Sequence, residues 1–154
     1  MKELTADGKF RSTYHRTRIN ILYTAIWLNQ YVRDFIHQFD LTPQQYNILK
    51  IVANSEKPMN VLQIRDRMFE KLSDSSRLIN RLELKGLLSK KKCWEDKRLV
   101  EITITTAGLA VIEKVSEHIF QLDEPLKGLG EEDAEKISEL LLQMRKTSSK
   151  KSEY

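Results

Sequence analysis

Apolar residues recur near the start of the chain at Ile21, Leu22, Ala25, Leu28, Val32, Phe35 and Ile36. That is the spacing of one helix face, and the pattern holds from about Phe10 to Phe39 before Asp40-Leu41 interrupts it. Thr42-Pro43-Gln44-Gln45 then supplies a capping hydroxyl, a proline at the first helical position and a glutamine able to reach back. A second helix follows to about Asn54, and Ser55-Glu56-Lys57-Pro58 breaks it. Asn60 with Gln63 repeats the cap and opens a third helix ending near Met68–Glu70. Ser73 caps a fourth, which Gly86 stops from the position just past a helix end.

Beyond Gly86 the period changes. Leu87–Trp94 reads as a strand. Its return is Leu99–Thr105, where Val100, Ile102 and Ile104 alternate with Glu101, Thr103 and Thr105. The loop between them suits a hairpin longer than a two-residue turn. Thr105 or Thr106 begins a helix through Leu109, Ile112, Val115, Ile119 and Leu122, ended by Pro125 and the Gly128/Gly130 pair. Glu131–Lys146 is the last helix, with Ile137, Leu140, Leu141 and Met144 on one face and acids in its first turn.

The predicted fold is mainly α with a small β-hairpin. Two short helices and a hairpin make a winged helix-turn-helix over residues 41–105. Residues 1–40 and 106–154 form long N- and C-terminal helices whose wide apolar faces one lobe cannot cover. A second copy would bury them, which makes those segments a dimerisation region.

Charge sharpens this picture. Residues 57–98 hold 12 Lys/Arg against 6 Asp/Glu, a net +6, while the rest of the chain nets −2. A basic segment on an otherwise slightly acidic protein suggests a polyanion-binding surface; a solvated charged face is the plain alternative. The single cysteine, Cys93, allows no internal disulfide and fits a reducing cytoplasm. There is no leader-like apolar core at the N-terminus and no run long enough for a membrane span. No Gly-rich phosphate loop, nucleophile elbow or metal-ligand spacing is present, so no enzyme, cofactor or metal is expected.

At 100° per residue the fourth helix turns Ser75, Leu78, Ile79 and Leu82 inward. Its opposite arc collects Ser73, Ser76, Arg77, Asn80 and Arg81. Arginine pairs with guanine O6/N7, asparagine with adenine N6/N7, and serine hydroxyls suit phosphates. At the hairpin tip, a carboxylate at Asp96 can hold the Arg98 guanidinium by paired hydrogen bonds and aim it into a minor groove. Lys90, Lys92 and Lys97 would meet phosphates. The plain alternative for the tip is a surface ion pair.

From Leu41 to about Lys114 the chain resembles the MarR family of bacterial transcriptional regulators. LTPQQYNIL at 41–49, SSRLINRLELKGLL at 75–88 and EDKRLVEITITTAG at 95–108 carry the resemblance. It implies a homodimer on double-stranded palindromic operator DNA, usually a repressor released by a ligand or oxidant. It maps recognition-helix arginines onto Arg77 and Arg81, and the wing pair onto Asp96 and Arg98. Asn80 departs from the family's pattern, where an acid is common, which implies a different base preference.

The first helix carries the candidate residues for a small-molecule pocket. Tyr14, His15, Arg18, Tyr23 and Trp27 could meet a small aromatic or phenolic ligand, or they could pack a dimer interface. Cys93, close to Lys91 and Lys92, is the one candidate for thiol-based sensing; a packed strand cysteine is its alternative. His15, His37 and His118 show no ligand spacing. A winged-helix protein-interaction module is the competing function; the outer arc of its fourth helix should show exposed aromatic or aliphatic residues, and this one shows Arg, Asn and Ser.

Overall fold

A computed structural model describes residues 10–68, 74–92 and 100–149. In chain order these form α1 (Thr13–His37), α2 (Pro43–Ala53), α3 (Val61–Arg67), α4 (Ser75–Leu84), β1 (Leu88–Lys92), β2 (Val100–Ile104) and α5 (Thr106–Glu117). A 3-10 helix (Ile119–Leu126) and α6 (Glu131–Ser149) follow. The chain divides into two compact units, Met1–His118 and Ile119–Tyr154.

The helix starts are built as their sequences dictate. Thr42 Oγ1 accepts the Gln45 amide at 3.2 Å while Gln45 Oε1 accepts the Thr42 amide at 3.0 Å. The same reciprocal box joins Asn60 and Gln63. Each box satisfies two backbone donors that a helix start leaves open. It also explains why Gln45 is tolerated as a buried polar residue. α1 ends differently. Asp40 turns the chain with φ 56, a left-handed conformation rare outside glycine. Lys85, at the end of α4, donates to the Asp40 carboxylate at 2.8 Å and to its carbonyl oxygen.

The core of the first unit gathers Ile36, Ile48, Leu49, Ile64, Ile79 and Ile102, all essentially fully buried. β1 and β2 pair antiparallel from Leu88↔Ile104 to Lys92↔Val100. On its other side, Ile102 exchanges backbone hydrogen bonds of 2.8 and 3.0 Å with Met59 in the α2–α3 connection. β2 is therefore held from both flanks.

The fourth helix, the hairpin and α5 meet at one joint. Gly86 takes φ 71, and its amide donates to Glu83 O while the Leu87 amide donates to Leu82 O. This is a Schellman end, completed by the buried pair Leu82 and Leu87. Thr105 Oγ1 donates to Gly86 O at 2.7 Å and accepts from the Gly108 amide at 3.0 Å. The Thr105 amide donates to Leu87 O at 3.1 Å. A Cβ on Gly108 would press into the Leu87 carbonyl oxygen and lie 2.7 Å from Ile104 Cγ1. Only glycine lets α5 start this close to the strand.

Three expectations are corrected. α3 ends at Arg67 with Met68 as C-cap, not at 68–70. α4 begins at Ser75 with Asp74 as N-cap, and the Asp74 side chain makes no capping bond; Ser73 lies outside the described residues. α5 does not continue through Ile119 and Leu122. It stops at Glu117, and the chain tightens into 3-10 turns that contain Pro125. The His118 amide already bonds back to Val115 and Ser116 rather than to Lys114, and Pro125 offers no amide to the Gln121 carbonyl, so the segment before it is not a regular α-helix.

In the second unit, Glu131, Glu132 and Asp133 occupy the first turn of α6. None of the side chains described in this unit is buried in the single chain. Ile137, Leu140, Leu142 and Met144 are among its exposed apolar residues.

Replacing Gly108 with alanine is expected to destabilise the fold by about 1–3 kcal/mol in urea unfolding, through overpacking. Gly128→Ala, whose Cβ would meet nothing within 4 Å, is expected to stay within about 0.5 kcal/mol.

Candidate nucleic-acid interface

α4 faces two ways, as its sequence predicts. Ser75, Ile79 and Leu82 are buried and Leu78 is partly covered. Ser76, Arg77, Asn80 and Arg81 are exposed. Ser75 Oγ approaches Met68 Sδ at 3.7 Å, fastening the front of α4 over the end of α3. Among the described residues neither Arg77 nor Arg81 is ion-paired with a carboxylate. Two unneutralised guanidinium groups on one ridge are available to a polyanion.

The hairpin is tied to this helix. Lys90 Nζ sits 2.7 Å from Glu83 Oε2 and donates to Asn80 Oδ1 at 2.7 Å. Lys90 is therefore a brace between β1 and α4, not an unattached phosphate contact. Lysine has only donors, so the amide oxygen of Asn80 must face it. The outward part of that amide is then its NH2 group. This narrows the adenine reading, which needs the oxygen to accept from N6, and favours acceptors such as guanine O6/N7 or phosphate. Lys92 and Lys91 are exposed on the same strand. Ser73, Cys93, Asp96, Lys97 and Arg98 lie outside the described residues.

One residue of the outer arc escapes the sequence reading. Leu84 is 87% exposed, although it ends a helix whose other leucines face inward. Its position three after Arg81, four after Asn80 and seven after Arg77 puts it on their stripe, and that spacing was the signal available.

The candidate ligand residues are not gathered within one chain. Tyr14 and Arg18 point to one side of α1 and Tyr23 and Trp27 to the other, by helix geometry. His15 accepts the Arg11 amide at 3.3 Å and meets Phe10 edge-on at 5.6 Å between ring centroids. The hollow beside α1 and α2, about 260 Å³, is lined instead by Asn29, Val32, Arg33, Gln44, Asn47 and Met68 with Pro43. A second hollow of about 430 Å³ lies where His37, Asp40 and Gln45 face Arg81, Leu84 and Lys85. There the Lys85 ammonium, by its hydrogen bond and then its charge, holds the Asp40 carboxyl below the ordinary carboxylate value. Among the described residues no group of three His, Cys, Asp or Glu is placed to hold a metal ion. No described helix is long and apolar enough to cross a membrane.

The chain is similar to known proteins over this same lobe and beyond it. The model of the MarR family matches residues 41–100. An uncharacterized HTH-type transcriptional regulator of Bacillus cereus is 28% identical over 145 residues, 87% of this chain and 96% of that protein. The crystal structure of a MarR transcription factor from Planctomyces limnophilus is 30% identical, covers 89% of this chain and 98% of that one, and superposes with a TM-score of 0.68. The S. aureus MepR–DNA complex shares the fold, with a TM-score of 0.69 at 22% identity, over 88% and 98% of the two chains.

Glu83→Gln removes the carboxylate that neutralises Lys90. The logarithmic salt slope for duplex binding is expected to steepen by up to about 0.9. Titrations at several salt concentrations measure this; an unchanged slope would mean that Lys90 stays clear of the phosphates even when released.

Proposed function

The chain belongs to the MarR family of DNA-binding transcriptional regulators, not enzymes, and on that premise we propose that it is a homodimeric repressor of palindromic operator DNA, released by a small molecule. The observation that carries the reading is the outer ridge of α4, with Arg77 and Arg81 unpaired among the described residues and exposed. In this proposal α4 enters the major groove and its arginines read base edges. Ser73, Ser76, Lys92 and Lys97 bind phosphates. Arg98, held by Asp96, enters the flanking minor groove. Half-sites then lie about 10 bp apart or a multiple of that.

Dimerisation follows from surface that one chain leaves in water. Leu22, Tyr23, Ile26 and Trp27 are exposed on α1, and Leu140 and Met144 on α6. Large apolar side chains in such numbers are stabilised by burial against a second copy. The effector is a small aromatic or phenolic compound. The hollow beside Arg33 offers it a cation, and Tyr14, His15, Arg18 or Trp27 would join only through a surface that the second copy closes. The protein works in the cytoplasm, where operator DNA is met.

Selection of bound duplexes from a random pool at two salt concentrations tests the reading. A palindromic winner whose affinity falls as salt rises is expected. Against that operator, Arg77→Ala should relax preference at one defined base, costing about 1–3 kcal/mol, and Arg98→Ala should weaken all sites alike. Ile26→Glu should shift the protein to monomers in sedimentation and abolish operator binding. A wild-type monomer with full affinity would sink the dimer.

A further inference from the structure

We propose that Leu84 reads a thymine, packing its side chain on the 5-methyl group of one thymine in each half-site. The proposal rests on the operator reading above. Leu84 is 87% exposed, on the stripe shared by Arg77, Asn80 and Arg81. A leucine held in water at the centre of a polar stripe gains nothing for the fold. Its place is also rigid. It is the last residue of a helix whose end is closed by Gly86, Leu87 and Thr105, and the next residue, Lys85, is bound to Asp40. The side chain is thus presented from a fixed backbone rather than a fraying turn.

Its surroundings select the partner. Arg81 and Lys85 line the hollow beside it, whose far wall is His37, Asp40, Leu41, Thr42 and Gln45, with the Asp40 carboxylate paired to Lys85. A protein partner offering an apolar contact here would have to desolvate an arginine that no described carboxylate neutralises. A duplex supplies both needs at once, a methyl group in the major groove and phosphates beside it. Thymine is the base that carries that methyl group, so an aliphatic side chain on a recognition helix discriminates it directly. Arg77 and Leu84 are seven residues apart, about 10 Å along the axis. With α4 lying along the groove, the thymine sits about three base pairs from the base read by Arg77, at about 3.4 Å per step.

The test uses the full-length protein and the operator selected above. Each thymine is replaced in turn by deoxyuridine, which removes only the methyl group. Wild type is expected to lose about three- to tenfold in affinity at one position per half-site, about three base pairs from the Arg77 base, and little elsewhere. Leu84→Ala should bind the thymine operator more weakly by a similar factor and no longer distinguish uracil from thymine at that position. Leu84→Met should keep the distinction. The residue is exposed, so these variants are expected to fold, and unfolding curves check it. Unchanged uracil discrimination in Leu84→Ala would overturn the proposal, as would a wild type insensitive at every position. Loss of self-association in Leu84→Ala with discrimination intact would overturn it in favour of a protein contact. A wild type that prefers no duplex at all would overturn the operator reading and this one with it.

Discussion

Thr105 serves two helices with one hydroxyl. It donates to the carbonyl of Gly86 at the end of α4 and accepts from the amide of Gly108 in the first turn of α5. Its own amide holds the Leu87 carbonyl at the start of the hairpin. Three elements that diverge from this point therefore share one reference. Gly86 makes it possible by taking a left-handed turn, and Gly108 by leaving room for the Leu87 carbonyl. The angle between α4 and the hairpin is held at this joint by the Thr105 hydroxyl together with backbone hydrogen bonds.

A second link spans the gap further out. Lys90 connects β1 to Glu83 and Asn80 of α4. The pair is about one quarter and one third exposed at its two ends, so its electrostatic worth is modest. Its geometric effect is larger. It holds the Asn80 amide oxygen toward Lys90.

Much of this lobe was legible before any coordinates. The capping boxes at Thr42 and Asn60, the glycine that ends α4 and the inward set Ser75, Ile79 and Leu82 all follow from local chemistry at fixed spacing. Family membership was legible too, from three motifs that lie within or beside the lobe. What escaped depends on contacts across the chain. Lys90 looked like one of three equivalent lysines, because nothing local reveals which strand residue will lie against Glu83. Leu84 went unread, although its spacing from Arg77, Asn80 and Arg81 set it on their stripe. The end of α5 was misplaced because apolar spacing continues through Ile119 and Leu122 while the backbone tightens ahead of Pro125. The wing-tip residues Asp96 and Arg98 lie outside the described residues and keep only their sequence argument.

β2 is bonded on both flanks, by β1 and by Met59, whereas the outer side of β1 has no strand partner among the described residues. An open strand edge is a template for addition of another chain. On this edge stand Lys90, Lys91 and Lys92. A second copy pairing there antiparallel would bring lysines against lysines, so the basic run keeps the sheet from growing between molecules. A chain stripped of that charge would present a bare edge open to strand-on-strand aggregation.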